Sequence, residues 1–178
     1  MQFLEELRND PILKDFLCHE CQENGIAIEV SDQVSADNLI IIRVDEFYNS
    51  LKMGNKTPPA PDCLIVQYCR DNQYVIYVVE LKNVGDLKNE PLNGIRSQFE
   101  TCLLDFMSNR FRKYFYNPNY DFANSIHLLF VSLPREAKSN SKDRTTRLDS
   151  LLGTRPIPFA NRKYLIEYKV PNPVIQPC

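Results

Sequence analysis

The 178-residue chain contains no run of about 20 apolar residues, so no membrane-spanning segment and no membrane partner are expected. Its start, MQFLEELRND, lacks the basic stretch followed by an apolar stretch of a secretory signal, and a cytoplasmic location is expected. Six cysteines are too few for a disulfide scaffold. Cys18-His19-Glu20-Cys21 is the one spacing that suits a metal or redox pair, but no second paired spacing completes a zinc site, and the motif falls within a predicted helix. The reading is ordinary helical cysteines. With two histidines in the chain, no Cys/His or Ser/His arrangement for covalent catalysis is evident, and His127, on an apolar run, reads as a core histidine. There is no internal repeat. A net charge of −2 and a pI of about 5.7 exclude indiscriminate DNA binding, which depends on phosphate neutralisation.

What is present is an ordinary globular composition, 43% hydrophobic and 25% charged, in a length that suits one domain. Residues 3 to 24 carry apolar side chains at helical spacing, broken near Asp10-Pro11, with Gly25 as a natural stop. Ile26 to Val30 reads as a short strand. Asp37 to Leu51 reads as a helix, although its Leu-Ile-Ile-Ile run could equally begin as a strand. Lys52 to Ala60 is a loop; Leu92 to Arg112 is helical; Ser125 to Leu133 and Lys163 to Val170 read as strands.

Between these lie two apolar runs, Leu64 to Tyr68 and Tyr74 to Val79, separated by the turn-forming Arg70-Asp71-Asn72-Gln73. They predict a β-hairpin. Alternation along the second strand puts Ile76, Val78, Glu80 and Lys82 on one face and Tyr77, Val79 and Leu81 on the other. Pairing about the turn sets Asp62 near Glu80, with the strands about 4.8 Å apart. Charges at the end of an apolar strand have a bland explanation, a weak solvent-exposed ion pair. The alternative is a divalent cation, for which Mg²⁺ uses one or two carboxylates and keeps several waters.

Pro61-Asp62, seventeen intervening residues, and Glu80-Leu81-Lys82 resemble the signature of the PD-(D/E)xK nucleases. The resemblance covers roughly residues 35 to 135, including the helix and strand that follow. It implies an α/β restriction-endonuclease-like core, a central mixed β-sheet flanked by helices in αβββαβ order. It also implies a single nuclease-like domain over residues 1–178, with a helical N-terminal segment over 1–34, a core over 35–135, and a basic loop with a final strand over 136–178. The implied chemistry is Mg²⁺-dependent hydrolysis of DNA phosphodiesters, with Mn²⁺ able to substitute. Asp62, Glu80 and the Leu81 carbonyl would hold the metal, and Lys82 would orient the attacking water. Glu46 would add a helix carboxylate, with Asp45 nearly as good a candidate. Gln98 matches the Gln of a Gln-x-x-x-Tyr motif in one exonuclease branch, with Cys102 in place of the Tyr.

Charge distribution bears on the substrate. Residues 1 to 46 hold eleven acidic and three basic side chains, whereas residues 135 to 163 hold eight basic and three acidic ones. Arg135, Lys138, Lys142, Arg144 and Arg147 punctuate a polar loop suited to phosphate contacts. RFRKYFY at 110–116 interleaves cations with aromatics, which could stack on bases or pack in the core. Three readings follow: a restriction-like or homing-like DNA endonuclease, working as a homodimer or higher homo-oligomer; a nuclease for single-stranded or branched nucleic acid; and an inactive DNA-binding or assembly module of the same fold.

Overall fold

The structure is a computed structural model that describes residues 1–82, 92–122, 125–132 and 155–178. Its centre is a six-stranded mixed sheet. In spatial order the strands are β1 (Leu17–Cys18), β4 (Leu39–Arg43), β5 (Cys63–Arg70), β6 (Gln73–Lys82), β7 (Ile126–Ser132) and β10 (Ile166–Lys169). The first four run antiparallel to their neighbours; β7 then joins β6 in parallel and β10 joins β7 in parallel. A parallel neighbour needs a crossover. The helix α3 (Leu92–Glu100) and its wider, π-helical continuation Thr101–Arg110 lie between β6 and β7 in the chain.

One face of the sheet buries the larger core. Ile40, Ile42, Leu64, Val66, Ile76, Val78, Leu128 and Phe130 meet α1 (Gln2–Arg8), α2 (Val44–Ser50), α3, its π-helical continuation and α4 (Arg112–Phe115) through Phe3, Leu7, Phe47, Phe99, Phe106 and Phe115. The hairpin of β8 (Ile157–Phe159) and β9 (Arg162–Tyr164) adds Ile157 and Phe159. The opposite face, with Ile41, Cys63, Ile65, Val79, Leu81 and Val131, is covered by a three-stranded sheet. That layer consists of β2 (Cys21–Glu23), β3 (Ile26–Val30) and β11 (Val174–Ile175), contributing Cys21, Ile26, Ile28 and Ile175.

Several expectations change. The first 34 residues are helical only in α1 and a short 3₁₀ turn at Leu13–Phe16, and β1, β2 and β3 follow. Asp10 ends the helix, since its Oδ1 accepts the Ile12 and Leu13 amides at 2.9 and 3.0 Å and so takes donors that a continuing helix would need. Gly25 is not a helix stop. With Asn24 at φ 49° and Gly25 at φ 80°, the pair forms the two-residue turn between β2 and β3. Asp37–Leu51 divides into β4 and α2 because Ile40, Ile41 and Ile42 pair with Val66, Ile65 and Leu64. The last predicted strand is two, β9 and β10, interrupted at Leu165.

The cysteines change more. Cys18 and Cys21 lie on strands, Cys21 is bonded to Cys63 and Cys69 to Cys178, and Cys18 and Cys102 are free. Both bonds tie the small layer to β5, one near each end of that strand. His127 is not enclosed in the core: its side chain is 42% exposed, its Nδ1 lies 3.0 Å from Glu167 Oε1, and its ring stacks on Tyr77. Of the aromatics of 110–116, Phe111, Tyr114 and Phe115 belong to the core, whereas Tyr116 is exposed. Their cations are used locally, Arg110 on Asp105 and Arg112 over the Tyr116 ring.

Candidate active site

The site forms where β5 begins and β6 ends. Asp71 and Asn72, at φ 47° and 60°, make the tight turn, and the register runs from Arg70 opposite Gln73 to Cys63 opposite Val79, with a bulge between Tyr68 and Arg70. Continued by one residue, it sets Asp62 across from Glu80, on one face. The backbone of Asp62 is fixed from the other side, where the Val44 amide at the start of α2 donates to its carbonyl at 3.1 Å.

Both carboxylates are buried, Asp62 with 7% of its surface exposed and Glu80 with 2%. Asp62 Oδ2 accepts the Leu81 amide at 2.7 Å. Glu80 Oε1 accepts Gln98 Nε2 at 2.7 Å and lies 3.4 Å from Lys82 Nζ, but Glu80 Oε2 has no hydrogen-bond partner among the described residues. Gln98 also reaches the Ala60 carbonyl at 3.4 Å, bracing the segment that leads into Asp62. Five predicted positions, Asp62, Glu80, Leu81, Lys82 and Gln98, therefore meet in one place.

Burial pushes the Asp62 carboxyl well above the usual carboxylate range, the Leu81 amide only partly opposes it, and the charges of Glu23 and Asp45 add to the rise. Glu80 is raised likewise, first by burial and then by the charge of Asp62, with Lys82 and Gln98 working the other way. Two buried carboxylates this close resist ionising together. A divalent cation removes that conflict, and the orphaned Glu80 Oε2 is an oxygen in want of a partner, so the donor set fits one. Among the described residues no group of three or more His, Cys, Asp or Glu side chains is arranged to hold a metal ion. The protein's share would be the carboxylate pair, as Mg²⁺ commonly accepts.

Glu46 is not brought to the pair. Its side chain is 57% exposed and lies 3.7 Å from Arg43, which also binds Asp45 at 3.3 Å. Asp45 is the nearer of the two helix acids, since its charge is felt at Asp62. Arg135, Lys138, Lys142, Arg144 and Arg147 lie outside the described residues. Sequence reasoning missed Arg43, a half-buried cation whose neighbour across the ladder is Cys63, and Glu23, whose charge is felt at Asp62. The signal for Glu23 was Asn24-Gly25, which marks a hairpin and hence a strand over Cys21–Glu23. Comparison of the chain with protein-family models, with curated proteins and with solved structures finds no match.

Proposed function

We propose that this protein is a metal-dependent nuclease of PD-(D/E)xK type with a restriction-endonuclease-like core, hydrolysing DNA phosphodiester bonds as an endonuclease. The observation that carries the reading is the buried Asp62–Glu80 pair with its unpartnered oxygen and with Lys82 beside it. A purely structural strand end gains nothing from two buried acids that repel each other.

Asp62 and Glu80, with the Leu81 carbonyl, would hold Mg²⁺ or Mn²⁺. The cation would supply neutralisation of phosphate charge and make water a stronger nucleophile. Lys82, held by Glu80, would orient the attacking water and offset negative charge as it builds on the phosphoryl oxygens. The water oxygen bonds to phosphorus in line with the ester oxygen that departs, and no covalent enzyme intermediate is required. Gln98 fixes the Glu80 carboxylate so that its second oxygen stays available. DNA as partner, the basic loop at 135–147 as its contact, and a homodimer or higher homo-oligomer belong to the same proposal. So does a cytoplasmic location, against which the two disulfides count, since such bonds persist chiefly in oxidising compartments.

The Gln98–Glu80 contact favours a second reading, a nuclease for single-stranded or branched nucleic acid, because a Gln at this helix position is what the exonuclease branch carries. Cleavage of circular double-stranded and single-stranded DNA with Mg²⁺, with EDTA, and with Lys82→Ala tests both. Metal-dependent cutting is expected, reduced roughly 100-fold or more in the variant, and the substrate that is cut distinguishes the readings. Absence of cutting on either substrate, together with absence of divalent-cation binding, would leave the inactive DNA-binding or assembly module.

A further inference from the structure

β2 approaches the acidic pair from outside the main sheet. Cys21 is fully buried and bonded to Cys63, the residue after Asp62. Side-chain alternation puts Glu23 on the same face of β2 as Cys21. Its charge is felt at Asp62, and Asn24 Nδ2 donates to Glu23 Oε1 at 3.3 Å. Arg43, on the adjoining strand, donates to the Gln22 carbonyl at 3.4 Å and anchors β2 from a second side. Acidic crowding by itself is common on protein surfaces. What points to a ligand here is Glu80, 2% exposed and carrying an oxygen without a partner among the described residues.

We infer that Glu23 is a positioning residue of this site, its charge held beside Asp62 by the Cys21–Cys63 disulfide, so that a divalent cation binds more tightly than the buried pair alone would hold it. The inference rests on the reading of Asp62 and Glu80 as a cation site. Glu23 acts through Asp62 and across space. Two neighbouring like charges cost energy unless a cation answers both, and the attraction of a divalent ion for a further carboxylate nearby is large enough to matter at an intermediate dielectric.

The test is a Mn²⁺ titration of the full chain by calorimetry, with circular dichroism to verify that each variant is folded. Glu23→Gln, which keeps shape and removes charge, should weaken Mn²⁺ binding about tenfold, with a smaller difference at high salt. Glu23→Asp should restore binding to within about threefold of the wild type, and Glu20→Gln, a charge loss elsewhere on the same edge, should leave it within about twofold. Cys21→Ser/Cys63→Ser should weaken binding in the same direction; if that variant does not fold, the Glu23 set decides alone. Unchanged binding in Glu23→Gln, or equal weakening in Glu23→Gln and Glu23→Asp, would overturn the role of Glu23 and leave the cation site standing. A wild type that does not bind Mn²⁺ would overturn both.

Discussion

Asp10 and Asp62 are both nearly excluded from water, 4% and 7% exposed, yet their acidities move in opposite directions. Burial works against the charge of Asp10, but the Tyr114 hydroxyl at 2.7 Å, the Leu13 and Ile12 amides and Lys113 at 3.1 Å outweigh it and hold the carboxyl near 2. Asp62 receives one amide and faces other acids, so burial prevails and it rises. The number of donors decides between them. Because the folded-state value of Asp10 lies below the unfolded one of about 3.9, the stability it contributes is complete above pH 4 and is lost as pH falls towards 2. Asp10→Asn should cost about 1.5–3 kcal/mol in urea melts at pH 7, and the gap to the wild type should close by pH 2. A gap that persists at pH 2 would mean that the charge is not what the surroundings stabilise. At this scale the sequence was readable where spacing carried meaning, as for Asp62, Glu80 and Lys82. For Glu23 the Asn24-Gly25 turn marked the strand but not its neighbour, since Asp62 lies 39 residues further along the chain.

Among elements, two-residue turns do much of the positioning. Asn24-Gly25, Asp71-Asn72 and Ala160-Asn161 each place two consecutive residues at positive φ between antiparallel strands, the geometry that matches strand twist. The middle turn was legible because apolar runs flanked it. The first was obscured because Phe3 to Leu17 has helical spacing, which extended the helix across a break at Asp10-Pro11 and over a short, half-polar strand. Glycine shows what such a turn requires. A Cβ on Gly25 would meet nothing within 4 Å, so the cost of Gly25→Ala is backbone strain at φ 80° alone. It should destabilise by roughly 1–2 kcal/mol. Gly94, inside α3 with equally open surroundings, should give the opposite sign on Gly94→Ala, a gain of about 0.5–1 kcal/mol. Urea denaturation of the two variants checks the pair, and like signs would contradict the assignment.

For the whole molecule, a central mixed sheet flanked by helices was foreshadowed by the hairpin, the long helix and the strand after it, whereas β1 and β4 fall in stretches that read as helical. The second layer was not foreshadowed. β2, β3 and β11 are short, come from opposite ends of the chain, and depend on bonds between cysteines 42 and 109 residues apart, which no local pattern announces. On the chain-entropy account, closing loops of those lengths removes about 4–5 kcal/mol each from the unfolded state, a compensation suited to a layer with the smaller core. The bonds also give the polypeptide a topology of its own. Cys21 to Cys63 closes one ring and Cys69 to Cys178 another, joined through the five residues Leu64 to Tyr68, with α1 and β1 as a free tail outside both. A protease site inserted at Asn119, an exposed residue of the second ring, should on cleavage leave a single band on a non-reducing gel and yield two only after reduction. Separation without reductant would refute the second ring. The covalent figure of eight thus makes the strand that leads out of the acidic pair the one segment through which every surviving fragment remains connected.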